Sequence, residues 1–245
     1  MTSLHDITAV ILAGGLGTRL RTVVADRPKI LANVCGRPFV AWLLDRIASS
    51  GIRKCLLCTG YMADQVCTTL GNEHNDMQIE YSRELEQLGT GGALRLALPL
   101  LDSSPILVLN GDTFCNVEYA KLLAQHELAG ATATLTLTNV ADTSRYGVVI
   151  TDNYGVIEKF EEKGTYTEPG TINAGVYLLD HSIVAGIPPS VPYSLEREIF
   201  PGLIGKGLYG FLHEGSFIDI GVPDDYRIVQ DFFSASTTDL IPEII

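Results

Sequence analysis

The chain has 245 residues, 46% of them apolar and 19% charged, with a mean hydropathy of +0.21, enough apolar material for one large globular core. That composition excludes a disordered chain, a collagen-like repeat and a small disulfide scaffold. A net charge of −12 argues against nucleic acid or an anionic membrane as the main partner, yet residues 1–60 carry eight Lys and Arg against three Asp and Glu, which suggests a local anion site.

Residues 7–12 are a nearly continuous β-branched and apolar run, suited to a central parallel strand covered on both faces. The run ends in Ala13-Gly14-Gly15-Leu16-Gly17-Thr18-Arg19. After Pro38, residues Phe39, Val40, Leu43, Leu44 and Ile47 recur at helical spacing, and Gly51 can stop that helix. A strand at 55–58, a short helix at about 63–70, a strand at 77–81, a helix after Gly92 and a strand at 106–109 continue a βαβ alternation. Beyond Asp112 the texture shifts toward β. Strands are predicted at 131–138, 147–150, 156–161 and 174–179, with a hairpin turn at Asp152-Asn153-Tyr154-Gly155. A helix at 195–204, a strand at 217–220 and a helix opened by Pro223 complete the chain.

The pattern predicts a single α/β domain over 1–245, a three-layer sandwich with a mixed, mostly parallel central sheet. Its Rossmann-like half covers about 1–115, and the second half, about 116–233, completes the site. Apolar runs such as Val10-Ile11-Leu12-Ala13 fall far short of the roughly 18 to 20 residues of a membrane helix, and no signal-peptide pattern is visible, which predicts a cytoplasmic protein. The five cysteines cannot all pair and lie in apolar segments, so reduced core residues are expected. Cys55 and Cys58 have C-x-x-C spacing, but on a strand such a pair points to opposite faces.

Three glycines in four positions, Gly14, Gly15 and Gly17, let backbone N–H groups converge on an anion, and Arg19 adds a bidentate donor. This phosphate cradle is not a dinucleotide fingerprint, because Leu20 stands where the third Gly belongs, and it is not a Walker loop. Arg27-Pro28-Lys29 places two cations within reach of the same cradle. Without a ligand, Arg19 and Lys29 packed at one site are expected to repel. Asp112 follows a buried strand at the edge where open α/β sheets bind ligands, and Asp219 sits in a second apolar strand. Two such carboxylates suit Mg²⁺, which takes one or two of them plus substrate phosphates.

In order and spacing, Gly14 to Leu20, Arg27-Pro28-Lys29, Leu88-Gly89-Thr90-Gly91-Gly92, Asn110-Gly111-Asp112, Phe160-Glu161-Glu162-Lys163, Asn173-Ala174-Gly175-Val176-Tyr177 and Asp219-Ile220-Gly221 resemble the sugar-1-phosphate nucleotidyltransferases. The resemblance runs over roughly residues 7–233. The subfamily it is most similar to is the D-glycero-D-manno-heptose 1-phosphate guanylyltransferases, through residues 21–26, Arg145-Tyr146-Gly147 and the short C-terminus, with the mannose-1-phosphate guanylyltransferases next. No counterpart of the left-handed β-helix of longer members is visible, and a homo-oligomer is compatible with the sequence. The chain has Gln87 where many relatives have Pro.

The resemblance implies that Gly14, Gly15, Gly17, Thr18 and Arg19 bind the NTP phosphates, with Lys29 at the reacting phosphates. It implies a base site near Ala13, Gln87, Gly89 and Thr90, and Mg²⁺ on Asp112 and Asp219. It puts the sugar phosphate near Tyr146, Gly147, Glu162, Lys163 and Asn173. GTP with a manno-configured heptose 1-phosphate is the expected pair, ahead of mannose 1-phosphate or of uridylyl, thymidylyl or cytidylyl transfer. Such chemistry needs no catalytic base, so the five histidines are expected to stand outside the site. A glycosyltransferase would lack the Gly-loop cations, and a non-catalytic nucleotide sensor would have lost Arg19, Lys29, Asp112 or Asp219; all four are present.

Overall fold

The structure, a computed structural model, describes residues 2–20, 23–161 and 168–235. At its centre lie four parallel strands, in spatial order Ile106–Asn110, Thr8–Ala13, Lys54–Thr59 and Met77–Arg83. Each serves both faces of the sheet. Ala9, Ile11, Cys55 and Leu57 join one core, while Val10, Leu56 and Cys58 join the other. Double-sided burial is why these segments read as unbroken apolar runs. The two cysteines of the C-x-x-C pair therefore face different cores, and burial pushes the Cys58 thiol up to about 12 and that of Cys55 higher still, so both stay protonated packing residues.

Helices Phe39–Ser49, Tyr119–Ala129 and Pro223–Ala235 cover one face; Gly89–Ala97 and His181–Ala185 cover the other. The last helix docks on the first through Trp42 stacked on Phe233, ring centroids 4.3 Å apart. Among the described residues, no helix is long and apolar enough to cross a membrane.

The second half extends the sheet with antiparallel strands. Strand Gly170–Leu179 pairs Val176 with Leu109 on one side and runs along Ala133–Val140 on the other. It begins earlier than its apolar run suggests, because cross-strand pairing recruits the polar Thr171 and Asn173. Its register slips between Asn173 and Tyr177, around Gly175 at φ +73°. A Cβ there would stand 2.9 Å from Asn110 Nδ2, so this glycine bends the strand and admits Asn110.

Three further elements differ from expectation. The helix expected after Gly92 starts at Gly89. The helix expected over 195–204 is a π-type turn, Leu195–Ile199, followed by an α-turn, Phe200–Leu203; Pro201 has no N–H to give the preceding turn. The strand expected over 217–220 ends at Asp219, and Phe217–Asp219 pairs with Thr113–Cys115 in a two-stranded sheet apart from the main one.

Candidate functional site

Two adjoining cavities, of about 570 and 540 Å³, open past the C-terminal ends of strands Thr8–Ala13 and Ile106–Asn110, and both are lined by Gly89, Thr90 and Asn110. The first is lined by Ala13, Gly14, Gly15, Gly17, Thr18, Arg19, Lys29, Gln87 and Asp112, so the residues expected for a nucleotide converge there. Gly17, at φ +58°, passes over Lys29, whose Cβ would lie 3.2 Å from an added Cβ. A Cβ on Gly14 would collide with the Glu84 carboxylate. Sequence reasoning missed Glu84, which has no periodic signal; it accepts a hydrogen bond from the Leu88 N–H at 3.1 Å, and burial raises its pKa.

The run Gly89 to Gly92 is not a second anion cradle. Gly91 and Gly92 N–H groups donate to the Tyr193 carbonyl at 2.8 and 3.1 Å, and Tyr193 N–H returns a bond to Leu88. Added Cβ atoms at Gly89 and Gly92 would stand 2.7 Å from Tyr193 O and 2.8 Å from Val191 O. These glycines thus make room for the 191–193 segment. That segment also occupies two of the amides, those of Gly91 and Gly92, that would otherwise open the helix to an anion.

Lys29 Nζ lies 2.6 Å from Asp112 Oδ2 with only 12% of its side chain exposed. Lys29 is thus held by a carboxylate, which offsets the repulsion expected between it and Arg19 at a ligand-free site. Arg27 is corrected, since it does not line the cavity and pairs with Asp26 at 2.6 Å.

Asp112 lines the first cavity and Asp219 the second, and Thr113 lies between them. Its hydroxyl is 3.3 Å from Asp112 Oδ1 and 3.4 Å from Asp219 Oδ2, while Ile220 N–H donates to the Asp112 carbonyl at 2.9 Å. The antiparallel pairing of Asp219 with Thr113 creates this neighbourhood. Among the described residues, no group of three or more His, Cys, Asp or Glu side chains forms a closed metal cage.

The second cavity is lined by Tyr146, Gly147 and Asn173, three of the residues that the resemblance implies for the sugar phosphate, by Asp219, and by Thr113, Ser194, Glu196 and Arg197. Glu162 and Lys163 lie outside the described residues. Asn173 is fixed at both ends of its amide: Nδ2 donates to Tyr177 Oη at 2.9 Å and Oδ1 accepts from Gly175 N–H at 2.9 Å. Asn110 Nδ2 reaches the same phenol at 3.4 Å, and burial pushes that phenol's pKa well above its ordinary value. Glu196 Oε2 accepts from Thr90 Oγ1 at 2.8 Å and Ser194 Oγ at 2.9 Å, joining the walls of the two cavities. Asn110, Ser194, Glu196 and Arg197 stand inside recognisable motifs, but nothing in the sequence shows that they face a ligand. No histidine lines either cavity.

A Rossmann-like sheet with a Gly-loop cavity and a carboxylate pair at its edge defines a nucleotidyl-transferring class of protein. The chain matches the Nucleotidyl transferase family over residues 8–236 and belongs to that family. It is 39% identical to D-glycero-alpha-D-manno-heptose 1-phosphate guanylyltransferase of Aneurinibacillus thermoaerophilus, over 91% of this chain and 96% of that protein. It is 36% identical to mannose-1-phosphate guanyltransferase of Schizosaccharomyces pombe, over 97% of this chain but 67% of that protein. The crystal structure of HddC from Yersinia pseudotuberculosis complexed with GMP-PN is similar with a TM-score of 0.81 at 32% identity, covering 93% of this chain and 99% of that one.

Proposed function

We propose that the chain, as one nucleotidyltransferase domain, transfers a guanylyl group from GTP to D-glycero-α-D-manno-heptose 1-phosphate, giving the GDP-sugar and pyrophosphate. The observation that carries this reading is the junction of the cavities, where Asp112 from one and Asp219 from the other meet across Thr113 beside Lys29. The first cavity takes the triphosphate on the Gly14 to Thr18 loop with Arg19, and the second takes the sugar phosphate.

The attacking group is a phosphate monoester with a second pKa of about 6, so it is a dianion near neutral pH and no side chain has to remove a proton. Its oxygen bonds to the α-phosphorus of the NTP as the bond from that phosphorus to the bridging oxygen breaks, and pyrophosphate leaves with the electron pair. The barrier lies in bringing two anions into line. Lys29 and Arg19 neutralise and align the triphosphate, Lys29 exchanging Asp112 for phosphate oxygens. Asp112 and Asp219 offer hard oxygens on one side of the site, a donor set that fits Mg²⁺ completed by phosphate and water. Held there, the ion supplies charge neutralisation and polarisation of the reacting phosphate.

For the base, Glu84 and Gln87 line the first cavity and offer acceptors to the N1–H and N2–H₂ edge of guanine. A base without that edge would cover these acceptors and leave them unpaired. A second reading, mannose 1-phosphate as acceptor, is favoured by the similarity to mannose-1-phosphate guanyltransferase. Pyrophosphate release for four NTPs against heptose, mannose and glucose 1-phosphates is the test. GTP with the heptose is expected to give the highest kcat/KM. A preference of about tenfold or more for UTP, dTTP or CTP rejects the guanylyl assignment, and no release from any pair rejects the reaction class.

A further inference from the structure

Tyr146 and Gly147 enter the second cavity from a turn over 142–147. Inside the turn, Ser144 N–H donates to Asp142 Oδ1 at 2.8 Å and Tyr146 N–H to the Thr143 carbonyl at 3.0 Å. Arg145 instead reaches out of it. Its Nη1 donates to Asp225 Oδ1 at 3.0 Å and its Nη2 to Asp225 Oδ2, a parallel two-bond fork. Asp225 is only 16% exposed and stands in the first turn of helix Pro223–Ala235, where the helix dipole favours a carboxylate.

The helix begins shortly after Asp219, so the fork ties the sugar-side turn to the segment that carries the second carboxylate. A second tie runs parallel to it. The Arg145 guanidinium carbon sits 5.6 Å from the centre of the Tyr146 ring, and the edge of that ring meets Phe217 at 5.8 Å, on the strand that leads into Asp219. Turn, strand and helix start thus form a closed circuit of contacts around Asp219. An ordinary exposed ion pair does little. This one is bidentate and placed behind a substrate wall, with its carboxylate end largely buried although the Arg145 side chain is 41% exposed.

We propose that Arg145 and Asp225 are positioning residues for the sugar 1-phosphate: their fork holds the Tyr146–Gly147 wall at a fixed distance from Asp219, so that the acceptor phosphate meets the carboxylate junction in line. The inference rests on the reaction proposed above. The sugar hydroxyls and the nucleotide are read by other residues, so the fork acts on acceptor placement and not on the first cavity.

The test is to measure kcat, both KM values and the thermal midpoint for wild type, Arg145→Lys, Arg145→Ala, Asp225→Asn and the Arg145→Ala/Asp225→Asn double variant. Each single variant is expected to raise KM for the sugar 1-phosphate about tenfold while KM for GTP stays within about twofold. The double variant should be no worse than either single one, because each removes the same interaction. Arg145→Lys keeps the charge but not the planar fork, so it should group with Arg145→Ala, and it carries the comparison if the alanine variant folds poorly. Equal rises in both KM values, multiplied effects in the double variant, or an unmoved sugar KM each overturn the latch. Wild type that releases no pyrophosphate with any sugar 1-phosphate overturns the reaction and the latch together.

Discussion

The two cavities are built differently. The first cavity, proposed for the nucleotide, is mostly two short loops, 13–19 and 84–90, hung on the two parallel strands that flank strand Lys54–Thr59, with glycines setting the backbone. The second cavity, proposed for the sugar phosphate, gathers single residues from segments scattered between Gly89 and Asp219, joined by Tyr177, Glu196 and the Arg145 fork. A loop site is fixed by local conformation, whereas a gathered site is fixed by long-range packing and moves when a distant partner is lost. The first is suited to a constant triphosphate and the second to acceptors that vary.

The contrast predicts that the largest effect comes from the junction, which belongs to both cavities. Asp112→Asn keeps the shape but removes the charge facing Lys29 and the proposed Mg²⁺ site, and kcat is expected to fall roughly a thousandfold, on the scale of lost electrostatic stabilisation. Pyrophosphate release with saturating substrates checks it, alongside a thermal midpoint showing the variant folded. Normal turnover in Asp112→Asn, or in wild type with excess chelator, removes the carboxylate junction from the mechanism.

Lys29→Ala comes next and sharpens the comparison, because its partner lies in the junction while its backbone belongs to the Gly-loop side. The expected loss in kcat/KM is about a hundredfold. The ligand-free thermal midpoint should fall, since the 2.6 Å pair with Asp112 is lost and Asp112 stands near Asp219 without that ammonium. A rise on loss of Lys29 would mean that repulsion between cations, not this pair, dominates the ligand-free site.

The same contrast explains which parts of the site are legible in the sequence. Buried strands such as Thr8–Ala13, the Gly14 to Arg19 loop, Lys29 and Asp112 announce themselves because their residue types are demanded by local backbone and charge. Glu84 gives no such sign: its meaning comes from Gly14, far away in the chain, which leaves space for its carboxylate. Gly175, in a distant antiparallel strand, leaves room for Asn110, and Asp219 comes near Asp112 through the pairing of strand Phe217–Asp219 with Thr113–Cys115, and neither relation has a local sign in the sequence. The run Gly89 to Gly92 lines both cavities through Gly89 and Thr90, but its glycines also make room for the 191–193 segment, a packing demand with no local sign in the sequence.

A smaller effect tests the loop side alone. In Gly14→Ala the new methyl meets the end of the Glu84 side chain, which can swing away, so folding should survive while the base site is displaced. KM for GTP is expected to rise about tenfold with KM for the sugar 1-phosphate nearly constant, the mirror image of the Arg145 variants. A preference for GTP over UTP that narrows in the same variant would tie Glu84 to base choice; an unmoved KM for GTP would release Glu84 from that role.

The smallest effect separates stability from chemistry in the antiparallel half. His126 is 4% exposed, with Nδ1 2.8 Å from Thr134 Oγ1 and Nε2 3.7 Å from Asp180 Oδ1. Burial lowers its pKa below the ordinary 6.5, and the upward pull of Asp180 does not overcome that. The folded chain thus holds a neutral imidazole, whereas the unfolded chain takes up a proton first as pH falls. The stabilisation is complete above pH 6.5 and is lost as pH drops through the folded value. The thermal midpoint of wild type should therefore drop further between pH 7.5 and pH 5 than that of His126→Gln. Turnover should behave otherwise, because its acid limb follows the second pKa of the sugar phosphate, near 6. His126→Gln is expected to keep that limb in place and to retain kcat within about tenfold at pH 7.5. An acid limb that moves with the histidine would mean that protonation of the antiparallel half, and not of the acceptor phosphate, limits the reaction.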